Sequence, residues 1–270
     1  MTLCIEGGVA VITGAASGIG SGLARHAAGL GMRLVLADVQ EAGLRDFAAS
    51  LPGEVLALAT DVSSAESVER LAQAAYQHFG AVDLLFNNAG VLSTGYSWEI
   101  EPARWKRDFD VNVHGVLNGL RSFVPRLLRA GRPAHIVNTA SVGGFLPSPL
   151  MAPYSASKFA VVALSESLRG ELEMLGAPIG VSLLAPGPVR TGIFDDPFGG
   201  REEPAARAFV DHMRALLKQH GLGPEPFAER VFAGLREGRY WLIPQPEALD
   251  APLQQRHEDL MARRTPRLPW

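Results

Sequence analysis

Two kinds of apolar segment take turns along this chain. Runs of five or six mostly aliphatic residues recur at 8–13 (GVAVIT), 33–37, 54–59 (EVLALA), 82–86, 134–139, 179–184 and 239–244 (RYWLIP). Such runs, apolar without alternation, are the pattern of strands buried on both faces of a parallel sheet. Between them apolar residues return every three or four positions, as on helices with one buried stripe. Leu23, Ala27 and Leu30 make one such stripe; Val68, Leu71, Ala75 and Phe79 make another, on a helix that begins near Ser64 and closes at Gly80. A single long helical region is predicted at 102–129, another from Tyr154 to about Leu175, and further helices at 204–220 and 226–237. Strand–helix alternation specifies an α/β fold, a doubly wound parallel sheet with helices on both faces and right-handed crossovers. No second domain has a place to begin, so residues 1–270 read as one domain.

Polar and small residues cluster where the strands end, and open sheets of this kind bind ligands at the carboxyl ends of their strands. After the first strand, Gly14, Gly18 and Gly20 precede a helix. Glycines there let the backbone turn sharply and approach a diphosphate, whose charge would face the helix N-terminus; a plain glycine-rich turn is the other reading. The second strand ends at Asp38, where a dinucleotide fold places a carboxylate on the adenosine ribose diol. Asp38 would repel a 2′-phosphate, and neither Val39 nor Ser17 adds positive charge, so NAD is expected over NADP. Asp38 is equally a candidate cap for the next helix. Asp61, followed by Val62 after the third strand, is placed either for an adenine amino group or as a helix cap. Asn87-Asn88-Ala89-Gly90 leaves the fourth strand, and Pro186-Gly187-Pro188-Val189-Arg190-Thr191 follows the sixth.

The fifth strand delivers Ser141, and a Gly/Pro-rich loop leads to Tyr154 and Lys158. Residues four apart share a helix face. At ~4–5 Å and an effective dielectric of ~20, the lysine would lower the phenol's pKa by about 2–3 units. A phenol near neutrality, with Ser141 donating to the same oxygen, suits proton transfer at a carbonyl. Asn112 falls among apolar positions, either as a satisfied core amide or as the holder of a water in a proton path.

Composition narrows the classes. Hydrophobic residues make up 47% and charged residues 20%, enough for a large core, and the net charge of −3 carries no basic stripe for nucleic acid. The one cysteine, Cys4, excludes an intrachain disulfide and argues against a thiolate metal site; it reads as a small apolar residue near the first strand. No metal is expected. With no basic leader before a long apolar run, the chain is expected to be cytoplasmic, away from membranes.

Together these motifs resemble the short-chain dehydrogenase/reductase family in its compact single-domain form. TGAASGIG at 13–20, NNAG at 87–90, Asn112, Ser141, YSASK at 154–158 and PGPVRT at 186–191 all match its pattern. The resemblance implies a Rossmann-like seven-stranded sheet in the order 3-2-1-4-5-6-7. It implies Tyr154 as general acid/base, Lys158 lowering its pKa and holding the nicotinamide ribose, Ser141 orienting the substrate oxygen, and Asn112 fixing a relay water. The expected coenzyme-binding set is Gly14, Ser17, Gly18, Ile19, Gly20, Asp38, Asp61, Val62, Asn88, Ala89, Gly90, Tyr154, Lys158, Pro186, Gly187, Val189 and Thr191. A homodimer or homotetramer through the helices carrying Asn112 and Tyr154 is also implied; Gly115 and Gly119 are compatible with close helix contact.

The expected activity is NAD-dependent hydride transfer between a secondary alcohol and its ketone. A catalytically silent NAD-binding regulator is the alternative from another class, and a related epimerase or dehydratase a third. Residues 192–223 read as a substrate lid and 247–270 as a tail with a short helix. Ser141, Gly143, Phe145, Met151, Tyr154, Ile193 and Phe194, with Leu146 and Trp98, are expected to line a mostly apolar pocket for an uncharged substrate, unless Arg190 or Arg201 intrudes.

Overall fold

In the computed structural model of the protein, residues 5–198 and 203–267 are described; Cys4 and Arg201 lie outside them. The strands are β1 (Val9–Thr13), β2 (Arg33–Asp38), β3 (Val55–Ala59), β4 (Leu84–Asn87), β5 (Ala134–Thr139), β6 (Ile179–Leu184) and β7 (Trp241–Leu242). Every pairing is parallel and the order is β3-β2-β1-β4-β5-β6-β7. The order reverses direction between β1 and β4, which opens a crevice at their carboxyl ends. The expected Rossmann-like sheet is the one observed.

Alternate residues of β1 enter different cores, which explains its unbroken apolar run. Val9 and Val11 pack toward α3 (Ala65–Phe79), α5 (Gly115–Ala130) and α6 (Ala152–Met174), against residues such as Leu71, Phe123 and Val161. Ala10 and Ile12 face α1 (Gly18–Gly29), α2 (Glu41–Ala49) and α8 (Pro224–Arg236), against Leu23, Leu44 and Phe232. Phe123 and Phe232 are fully buried, each worth about 2–3 kcal/mol relative to exposure. The α3 helix starts on Ser64, whose Oγ accepts the Ser67 N–H at 3.2 Å, and ends on left-handed Gly80.

Two expectations need correction, on the long helix and the last strand, and one is sharpened, on Gly115 and Gly119. The region 102–129 is α4 (Pro102–Phe109), then a π-helical turn at Asp110–His114, then α5. A π turn accommodates one extra residue, and here it carries Asn112 inward. The last strand is two residues long, because only Trp241 and Leu242 pair with β6. Gly115 and Gly119 pack within the chain: a Cβ at Gly115 would lie 2.9 Å from Val62, and one at Gly119 would collide with the Asn87 side chain. Beyond β6 come α7 (Pro204–His220), with the bounds expected for the helix of the lid region, and α9 (Asp250–Met261) in the tail.

Candidate active site

The glycine turn is closed by backbone contact. A Cβ on Gly14 would sit 2.8 Å from Ala89 Cα, and one on Gly20 would strike the Gly14 carbonyl. Gly18, at φ +53°, faces Thr191 so closely that a Cβ there would stand 3.0 Å from the threonine methyl carbon. Asn88 fastens the turn to β4: its backbone N–H donates to Thr13 Oγ1 and its Nδ2 to Thr13 O, both at 2.9 Å. The Ala89 N–H shares Thr13 Oγ1 at 3.1 Å. From the other side Asp38 Oδ2 accepts the Ala16 N–H at 3.0 Å. Asp38 Oδ1 accepts from Gln40 N, the residue that caps α2, so the carboxylate ties the turn to β2 and each oxygen keeps a lone pair free. Asp61 is exposed and holds Ser63; the α3 cap is Ser64.

Across the crevice, β5 ends at Thr139, and its carbonyl accepts from Lys158 Nζ at 2.9 Å. Lys158 is 3% exposed, and burial pushes its ammonium down to about 8, with the Asp108 carboxylate pulling the other way. Its Nζ lies 5.6 Å from the centre of the Tyr154 ring. Asn112 is wholly buried: its Oδ1 accepts from Val91 N, while Nδ2 donates to Val91 O and Ser157 Oγ, all at 2.9 Å. A Cβ on Gly90 would stand 3.4 Å from both Asn112 Oδ1 and Lys158 Nζ, in ordinary contact with each, so Gly90 lies beside both groups.

The expected acidity of Tyr154 is not what this arrangement gives. Burial pushes its phenol above the ordinary value; a hydrogen bond with the Ser141 side chain pulls it down, and Asp108 adds to the rise. Desolvation is the largest of these effects and favours the neutral phenol, while Lys158 Nζ donates to Thr139 O. Ser141 Oγ also accepts the Gly143 N–H at 3.0 Å, and Gly143 itself leaves room for the Tyr154 ring.

A profile described as short chain dehydrogenase matches residues 8–198. The chain belongs to the short-chain dehydrogenases. Among relatives, a C alpha-dehydrogenase of Sphingobium sp. is 38% identical over 255 residues, 88% of this chain and 81% of that one. A 1-deoxy-11-beta-hydroxypentalenate dehydrogenase of Streptomyces arenae is 42% identical over 189 residues, 67% of either chain. A crystal structure of a short-chain dehydrogenase/reductase from Burkholderia phymatum in complex with NAD superimposes with a TM-score of 0.94, at 41% identity and 98% coverage of both chains.

In this dehydrogenase the expected pocket residues separate. Met151, Tyr154, Ile193 and Phe194 come together in one apolar cluster. Phe145 does not join them; it packs into the core beside α6 and meets Trp241 edge-on at 5.8 Å. Trp98 stacks on Tyr96 and stays 79% exposed. Leu146 is buried. Their places are taken by Leu92 and by α7, whose Phe209, Met213 and Leu216 lie against the cluster; the amphipathic spacing of 204–220 was the signal for them. Arg190, Arg214 and Lys218 border a cleft of about 510 Å³ that also touches Gly18 and Thr191. Pro186 O accepts the Val142 N–H, Val189 is buried, and Gly187 packs against Gln245 and Ala248. Among the described residues no helix is long and apolar enough to cross a membrane, and no cluster of three metal-ligating side chains occurs.

A further carboxylate was missed. Asp108 is completely buried, accepts from Ser93 Oγ at 3.0 Å, and leaves Oδ2 with no hydrogen-bond partner among the described residues. The clue was its place four residues before Asn112, on the same helix face.

Proposed function

We propose that this dehydrogenase moves hydride between a largely apolar secondary alcohol and NAD, with the ketone as product, and runs in either direction. The observation that carries the reading is the meeting of Ser141, Tyr154 and buried Lys158 at the end of β5, opposite the glycine turn. Tyr154 Oη takes the alcohol proton in oxidation and returns it in reduction, while Ser141 Oγ holds the substrate oxygen. Lys158 holds positive charge beneath the phenol and faces the nicotinamide ribose, and Asn112 fixes the backbone around a relay water. Bound NAD supplies the hydride acceptor. Residues 14–20 offer it a cradle that side chains larger than glycine would fill, with Ser17 and Ile19 at the start of α1 facing the diphosphate. Asp38 receives the adenosine ribose and disfavours a 2′-phosphate; Asp61 and Val62 flank the adenine. Asn88, Ala89 and Gly90 line the floor, and Pro186, Gly187, Val189 and Thr191 the carboxamide side.

The substrate rests on Gly143, Met151, Ile193 and Phe194, covered by α7 as a lid. An apolar substrate suits this cluster. A homodimer or homotetramer in the cytoplasm goes with the reading. The test is turnover of hydrophobic cyclic alcohols with NAD, wild type against Tyr154→Phe. The wild type should reduce NAD, with oxidative kcat/KM climbing as pH rises, since the phenol is held above its usual range. Tyr154→Phe should lose about 100-fold or more while binding NADH as before. Full turnover by that variant would refute the assignment.

A further inference from the structure

Two clasps join the loop after β4 to the helix that follows it. Val91 grips Asn112 through both its backbone groups, and two residues further on Ser93 Oγ grips Asp108, one turn earlier on that helix. The first clasp is fully satisfied. The second leaves a buried carboxylate oxygen with no partner, an arrangement that burial makes costly and that a purely structural clasp would not need. A serine–asparagine pair would hold the same segments together without a charge.

Asp108 is buried on the helix that lies against the one bearing the reacting groups. The α4 helix packs against α6, which carries Tyr154 and Lys158. The groups around it are Arg104 and Arg107 on its own helix, Ser93 from the loop, and Tyr154 and Lys158 from α6. Arg104 is engaged with Asp196 at 3.0 Å, and Arg107 Nη1 is buried with no hydrogen-bond partner among the described residues. Burial pushes the Asp108 carboxyl above its usual value, with Ser93 and Arg107 pulling it back down. In its charged form its field reaches the phenol and the ammonium through the partly buried packing between α4 and α6, where charges interact more strongly than in water.

We propose that Asp108 is a positioning residue for the reaction, a buried charge that acts through Tyr154 and Lys158 to fix the pH at which this site changes protonation, without touching substrate or coenzyme. The proposal rests on the dehydrogenase reading for its purpose but not for its test. A negative charge near the phenol opposes loss of the phenol's proton and favours the charged lysine, so removing it makes phenolate easier to form. This agrees with the direction in which Asp108 moves both groups.

The experiment is an ultraviolet titration of the Tyr154 phenol in the protein without substrate, assigned by subtracting Tyr154→Phe. Asp108→Asn, which keeps the shape and can still accept from Ser93, should move the Tyr154 midpoint to lower pH. The rising limb of oxidative kcat/KM should move the same way, with the Kd for NADH within about twofold of wild type. Asp108→Leu removes the same charge and serves if Asn disturbs the fold, since an apolar replacement of a poorly paired buried charge is commonly tolerated. Ser93→Ala removes the hydrogen bond but keeps the charge, and should leave the basic midpoint where it is. An unmoved midpoint in both Asp108 variants overturns the proposal, as does an equal shift in Ser93→Ala, which would make the effect structural. An inactive wild type would sink the dehydrogenase reading, while the titration would still decide the role of Asp108.

Discussion

The two walls of the crevice are built by different means. On the wall proposed to take the coenzyme, Gly14, Gly18, Gly20 and Ala89 pack with no room for larger side chains, and Thr13, Asn88 and Asp38 lock the turn with hydrogen bonds of 2.9–3.1 Å. On the wall proposed to take the substrate, α7 rests on Tyr154, Met151 and Phe194 through flexible or aromatic side chains. Its connecting segment is tied by the Arg104–Asp196 ion pair and by Thr94 Oγ1 donating to Pro197 O at 3.0 Å. A directional, close-packed wall fits one ligand. An apolar wall of Phe, Met and Leu accommodates shape by repacking. The contrast teaches that the glycine-turn wall tolerates less change of shape than the apolar one.

The sharpest way to break the contrast is Gly20→Ala. Its Cβ would meet the Gly14 carbonyl, so the turn must open; we expect a loss of about 2–4 kcal/mol in stability and NADH affinity reduced about 100-fold or more, read by thermal unfolding and fluorescence titration. Asp38→Ala tests the hydrogen-bonded part of the same wall. It frees the Ala16 N–H and removes the charge proposed to face the ribose, so the preference for NAD over NADP should fall by about tenfold or more, measured as the ratio of kcat/KM values. The substrate wall should respond more gently. Phe209→Ala should raise KM for an apolar alcohol about tenfold with NADH affinity unchanged. If Phe209→Ala instead disrupts coenzyme binding, the two walls are not independent.

The same contrast separates what the sequence disclosed from what it did not. Parallel strands buried on both faces read as unbroken apolar runs, so β1 to β6 fall within two residues of their expected ends. The residues after those strands could be placed because the fold collects strand ends at one edge. The apolar side is carried by loops and a helix face, and periodicity says nothing about which way a loop residue turns. Phe145 and Trp98 therefore went astray, and Phe209 and Met213 went unnoticed. RYWLIP promised six strand residues, but at the sheet's edge β6 pairs with only two of them. Spacing put Lys158 beside Tyr154 correctly, yet the direction of the phenol's shift depends on burial, a property of the assembled site. Asp108 sat in a stretch rich in charge, WKRDFD, which reads as solvated surface.

The wide turn at Asp110–His114 sets the phase between two helices that serve different masters. Upstream, Asp108 must stay buried against Ser93; downstream, Val116, Leu120 and Phe123 must look into the core. One residue corresponds to about 100° of rotation on a helix. Deleting a single residue from this turn would therefore force a choice between swinging Phe123 toward water and withdrawing Asn112 from Val91. Neighbouring surface positions can drift freely in this protein, but the residue count of that one turn cannot.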